Sequence, residues 1–152
     1  RRSPERLRQL VGICRRDDAL LIIESDAGMA AAVEADGVVL DGMLDSIGLA
    51  RTRMPTGVVG VSVRDIDQAA LAIEVGADFV LHGGGVAAGA DFLALKEQAT
   101  MPMFAAGIEG LAEARTLVEG GVYRLGISSR VLVSEHVREN AAAFSRLLGR
   151  SL

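Results

Sequence analysis

The chain has few aromatic side chains: four Phe, one Tyr and no Trp among 152 residues. So few rings cannot supply the stacking platforms that hold single-stranded nucleic acid. A formal charge of −4 gives no general attraction to a phosphate backbone either. Nucleic acid is therefore not an expected partner. Cysteine occurs once, at Cys14, so no internal disulfide can form and a reducing, cytoplasmic setting is the default. No apolar run approaches the roughly 18 residues of a membrane span, and no signal-peptide pattern opens the chain, so a membrane is not expected as a partner. Lysine also occurs once, at Lys96, while the other basic residues are all Arg. Schiff-base or P-loop chemistry would have to use Lys96.

What the chain does have is apolar residues and glycine, at 50% hydrophobic with 18 Gly. This is enough to bury the core of a single domain. Leu7, Leu10, Val11 and Cys14 recur at i, i+3, i+4 and i+7, the stripe of an amphipathic helix, which makes Cys14 a small core residue. Short β-branched runs follow at Leu20–Ile23, Val38–Leu40, Val58–Val63, Phe79–Leu81, Met103–Ala106 and Leu125–Ile127. Each is too short for a helix and reads as a strand buried on both faces. Helical segments at Asp65–Val75, Phe92–Ala99, Leu111–Glu119 and Glu135–Leu148 lie between or after them. The alternation predicts a parallel α/β protein.

An internal repeat narrows this to a barrel. Ala35-Asp36-Gly37-Val38-Val39, Ala77-Asp78-Phe79-Val80-Leu81 and Gly121-Val122-Tyr123-Arg124-Leu125 each follow a helix and enter a strand. Each interval holds one further strand, so a βα unit takes roughly 21 residues. Near-equal units suit a TIM-type (β/α) barrel, in which alternate strands play matching roles. Six of its eight strands are visible here. The first element is a helix and the chain opens on Arg1, so the expectation is one domain over 1–152 whose first two strands precede Arg1 or come from another chain; an open six-stranded sheet is the remaining option. A homo-oligomer is left open.

The strand ends resemble the thiamine phosphate synthase and TenI family. Leu21-Ile22-Ile23-Glu24-Ser25-Asp26 is similar to that family's third strand, and Ala35-Asp36-Gly37-Val38-Val39-Leu40 to its fourth. Gly60-Val61-Ser62-Val63 resembles the fifth, Gly76 through Leu81 the sixth, and Met101 through Ile108 the seventh. The resemblance runs from about Pro4 to Leu148. It implies a role in thiamin biosynthesis: joining a pyrimidine pyrophosphate to a thiazole phosphate, with Mg²⁺ assisting the leaving group. The end of the chain, Ala106 to Ser129, also resembles class I deoxyribose-phosphate aldolases, whose chemistry needs an axial lysine. Lys96 falls in a helical segment, so that activity is not expected, and a phosphate site is what the two families share.

The resemblance assigns candidate residues. Gly107, Ser128 and Ser129 end the last two strands, where barrels gather backbone N–H groups and hydroxyls around a phosphate, which makes a phosphorylated small molecule the expected ligand. Glu24 and Asp41, with Asp26 and Asp45 beyond them, are the candidate Mg²⁺ ligands, although the family's Asn-Asp pair reads Glu24-Ser25 here. Ser62 stands where the family has a serine near its substrates, and Arg64 replaces the family's histidine as a candidate for an anionic substrate group. His82 is the candidate acid–base group of a TenI-type tautomerase. The loop Gly83 to Gly89 carries no proton donor or cation, where the synthases have Ser, Thr and Lys. Beside the synthase stand two alternatives: a non-catalytic phosphate-ligand binder or scaffold, and the tautomerase. Gly83, Gly85 and Ala88 match a dinucleotide fingerprint only formally, since no acidic residue ends the next strand. His136 is expected at a helix start, exposed or capping.

Overall fold

The structure is a computed structural model that describes residues 3–42, 44–95, 101–133 and 135–149. Six strands form one parallel sheet in the order β1-β2-β3-β4-β5-β6: Ile22–Glu24, Gly37–Asp41, Val58–Val63, Phe79–His82, Met103–Ile108 and Leu125–Ile127. Helices α1 (Pro4–Arg16), α2 (Ala27–Ala32), α3 (Ile47–Arg53), α4 (Ile66–Glu74), α5 (Ala88–Leu95) and α6 (Leu111–Glu119) alternate with the strands. The short α7 (Ser129–Leu132) and then α8 (Val137–Leu147) follow β6. Consecutive parallel neighbours joined by helices are the arrangement of a TIM-type barrel wall. Among the described residues, no helix is long and apolar enough to cross a membrane.

The two faces of the sheet differ. Val38, Val59, Val61, Val63 and Val80 point to the helices and are wholly buried. On the alternate, inner face, Ile22, Val39, Val58, Phe79, Leu81 and Phe104 line an apolar groove of about 530 Å³. Gly60 is needed there because the Phe79 ring lies over it: a Cβ would stand 2.2 Å from that ring.

The N-terminal strand ends explain the repeat. Asp36 accepts the Leu21 amide at 2.8 Å, and Asp78 accepts the Val59 amide at 2.7 Å, each tying its strand to the one before. Before each Asp, the chain turns through a left-handed residue, Glu34 (φ 57) or Gly76 (φ 76), and the next amide returns to the helix. In the third copy the left-handed residue is Gly121 (φ 89), followed by the Val122 amide on the Leu117 carbonyl. The third copy is thus displaced by one residue from the alignment read in the sequence. Val122 matches Ala35 and Ala77, and Tyr123 takes the place of the aspartates.

Two sequence expectations need correction. Cys14 is half-buried, and of α1 only Val11 is buried, so the helix seats one residue firmly in the core. The fifth helix begins at Ala88, four residues before the expected start, because the glycine loop turns early through Gly85 (φ 54). The end of that predicted segment, with Lys96, lies outside the described residues.

Candidate functional site

The candidate residues at the C-terminal strand ends fall into two groups. The first is on β1 to β3. By alternation Glu24, Asp41 and Ser62 share the inner face with the groove residues, and Asp41 pairs in register with Ser62. Glu24 pairs with Val39, two residues below Asp41. Asp26 is occupied as the N-cap of α2, accepting the Met29 amide at 2.8 Å. Asp45 lies in the turn Leu44–Ser46. Among the described residues, no group of three or more His, Cys, Asp or Glu is placed to hold a metal ion. Magnesium, held as a rule by one or two carboxylates together with substrate phosphates, needs no such cluster, and Glu24 and Asp41 share the inner face of adjacent strands. Arg64 follows β3 and is exposed; its amide donates to Gln68 Oε1 at 3.2 Å, and its guanidinium has no partner among the described residues.

The second group gathers at β5 and β6. Gly107 interrupts the pairing of the two strands, between Ala106 and Ile108, as a bulge with φ +81. That backbone suits glycine, and Gly107 is exposed with no side chain of its own in the way. Ser128 follows β6 directly, and its amide donates to the Ile108 carbonyl at 2.8 Å, so the two corners are tied together at the same end of the sheet. Ser128 Oγ accepts the Arg130 amide at 3.3 Å, which leaves its hydroxyl proton free to donate elsewhere. Ser129 is exposed. Arg130 is held to Glu109 at 3.3 Å.

His82 sits apart from both groups. It is 1% exposed and faces the helices, with Nε2 2.6 Å from Asp91 Oδ2 of α5 and Nδ1 accepting the Gly84 amide at 3.2 Å. Ser62 and the groove lie on the opposite face of the sheet, so the structure does not bring His82 together with Ser62. His136 is exposed and pairs with Glu139 at 2.8 Å.

Sequence reasoning missed two residues. Asp91 was hidden by the misplaced start of α5. Glu113 accepts the Glu109 amide at 2.9 Å, and its other oxygen would meet a Cβ on Gly85 at 2.6 Å, so its side chain sits between the β4 and β5 loops. Its signal was its third position in α6, where Glu commonly serves the helix start.

Known proteins agree with this architecture. The family model described as thiamine monophosphate synthase matches residues 2–131. A thiamine-phosphate synthase of Geobacillus kaustophilus (strain HTA426) is 29% identical over 150 residues, covering 91% of this chain and 68% of the relative. One of Coprothermobacter proteolyticus is 28% identical over 147 residues, covering 90% and 70%. The solved thiamine phosphate pyrophosphorylase from Pyrococcus furiosus superposes with a TM-score of 0.82 at 23% identity, covering 98% of this chain and 79% of that one, which is a likeness of fold. With its model matching most of the sequence, the chain belongs to the thiamine monophosphate synthase family.

Proposed function

We propose that the chain binds a phosphorylated small molecule at the corner formed by Gly107, Ser128 and Ser129. In the context of its family this ligand is the thiazole phosphate that a synthase joins to a pyrimidine pyrophosphate. The observation that carries the reading is the joined corner: a left-handed glycine bulge on β5, tied to the Ser128 turn of β6 by a 2.8 Å hydrogen bond. A phosphate approaching Gly107 meets no Cβ. With the Ser128 and Arg130 amides already bonded, the two serine hydroxyls and the remaining backbone N–H groups of the corner would supply its donors, and charge-assisted bonds of this kind are the stronger ones. Ser62, on the inner face of β3, and the exposed Arg64, whose guanidinium has no partner among the described residues, would meet the rest of the substrate or a second anionic group.

Binding is better supported than turnover. The loop after β4 presents glycines and alanines, with no cation for a leaving pyrophosphate and no proton donor. A Mg²⁺ bound with substrate would be held by Glu24 and Asp41 and would assist the leaving group, but the β4 loop would still offer pyrophosphate no cation of its own. The reading therefore favours the binder over the synthase, and the buried His82 gives the tautomerase no observation of its own.

Melting the protein with increasing inorganic phosphate, thiazole phosphate and thiamin phosphate tests this directly. A specific ligand raises the melting temperature with concentration, because it binds the folded state alone. The expected order is thiazole phosphate above inorganic phosphate, with the rise lost in Ser128→Ala combined with Ser129→Ala. Melting unmoved by all three would overturn the proposal. Release of pyrophosphate from the two substrates with Mg²⁺ would show that the chain is a synthase instead.

A further inference from the structure

His82 has a buried, doubly satisfied imidazole at the C-terminal end of β4, a place where an apolar side chain would pack as well. What the imidazole adds is direction. Its Nδ1 accepts the Gly84 amide at 3.2 Å, which puts the ring proton on Nε2, where it donates to Asp91 Oδ2 at 2.6 Å. Asp91 is anchored on α5 and Phe92 lies beside the ring, at 6.4 Å between centroids. The ring is thus fixed from the helix side, and through Nδ1 it fixes the loop.

The loop is fitted closely to this ring. A Cβ on Gly84 would stand 3.0 Å from His82 Cε1 and 3.2 Å from the Ala88 amide nitrogen, so the glycine is shaped to the imidazole. The neighbouring Gly83 amide is held by the Val63 carbonyl at 2.9 Å. The Gly83 carbonyl in turn faces Gly107: a Cβ there would lie 3.8 Å from it. A path of hydrogen bonds therefore runs from Asp91 through His82 to Gly84, and the adjoining Gly83 carbonyl lies beside the bulge at Gly107.

We propose that His82, oriented by Asp91, is a positioning residue that holds the Gly83–Gly85 loop against Gly107 and so forms one wall of the phosphate corner. The inference rests on the reading of that corner as an anion site. It assigns the histidine no contact with substrate, and it gives the glycine loop the role of a backbone wall in place of side-chain chemistry. A fixed wall preserves the geometry of the donors around the anion, which a loose loop would not.

Two substitutions separate the parts of the imidazole. His82→Asn keeps an acceptor near Nδ1 and gives up the bond to Asp91; His82→Gln keeps a donor toward Asp91 and gives up the acceptor for Gly84. Amide exchange at Gly84 and inorganic phosphate affinity, read from the Ser128 and Ser129 amide signals, are measured in both variants beside their melting temperatures. In His82→Gln, Gly84 exchange should quicken and phosphate binding weaken, each by roughly fivefold or more, the effect of one lost hydrogen bond. In His82→Asn both should change clearly less than in His82→Gln even where melting falls equally, because the Gly84 acceptor is retained and only its orientation by Asp91 is lost. Phosphate affinity that follows melting temperature in the two variants alike would reduce His82 to a packing residue and overturn the proposal. So would a nitrogen spectrum of the unsubstituted protein showing the His82 proton on Nδ1, a measurement that needs no variant to fold. If the parent protein shows no phosphate response at Ser128 and Ser129, the anion-site reading fails by itself, and the Gly84 exchange rates still decide whether His82 holds the loop.

Discussion

The two ends of the strands were built differently. At the N-terminal ends, Asp36 and Asp78 do the same thing twice: each caps its own strand by accepting an amide from the previous one. At the C-terminal ends a helix cap recurs, Asp26 and Asp65 each accepting the amide three residues on, but the residues that end the strands do not recur: Glu24, Asp41, Ser62, His82, Gly107 and Ser128 follow one another. In barrels of this type the N-terminal end serves stability and the C-terminal end serves chemistry. The difference teaches that repetition in this sequence marks structure, whereas its breakdown marks the place to look for function.

That contrast can be broken at the N-terminal end, where the largest effect is expected at Gly37. A Cβ there would stand 2.3 Å from the Val58 carbonyl oxygen, which is strand backbone and cannot step aside. Gly37→Ala should destabilise the fold by about 3 kcal/mol, the upper part of the usual range for overpacking, as measured by urea unfolding.

Asp78 comes next. Burial pulls its carboxyl upward, but the Arg51 hydrogen bond at 3.0 Å, the Val59 amide and the charge of Arg51 together hold it below the ordinary Asp range. A carboxylate depressed in the folded state stabilises it above the unfolded pKa, and that stabilisation is lost as pH falls through the folded value. Asp78→Asn should cost about 1–2 kcal/mol near neutral pH and little in strong acid. The two unfolding curves should therefore converge as pH is lowered below about 4. A constant gap across that range would show that the carboxylate's charge is not what matters.

The smallest effect has the opposite sign. Glu34 holds a left-handed backbone (φ 57) at the position where the other copies of the repeat have Gly76 and Gly121. Its ion pair with Arg15 is long, 3.9 Å, and exposed. Glu34→Gly should stabilise by up to about 1 kcal/mol, visible as a rise of a few degrees in melting temperature. A fall would mean that the Arg15 contact outweighs backbone strain.

Much of the fold was legible because its signals are local. Val58–Val63 and Leu125–Ile127 emerge with the bounds their apolar runs predict, since consecutive β-branched residues suit a strand covered on both faces. Leu20 and Leu21 fell out of the first strand for a non-local reason: the Leu21 amide is taken by the side chain of Asp36, fifteen positions on. The site was less legible. The run Gly83 to Gly89 reads as a loop, yet Gly89 lies in α5, where a Cβ would stand 3.0 Å from Leu117 of α6. Glycine there answers to a neighbouring helix that no local pattern reveals. The same shift in the start of α5 concealed Asp91, and with it the reason His82 is buried. Gly107 and Ser128 were singled out from their place at strand ends, but the bond from the Ser128 amide to Ile108, beside Gly107, depends on register, which only the folded sheet supplies.

The most direct test of the phosphate corner is a map of backbone amide shifts as inorganic phosphate is added. Shifts concentrated at Gly107, Ser128 and Ser129, with Gly83 and Gly84 following, are the predicted result. Shifts gathered instead around Arg15 and Arg53, which line a polar pocket of about 350 Å³ that also includes Asp36, would place the anion at the opposite ends of the strands and contradict it.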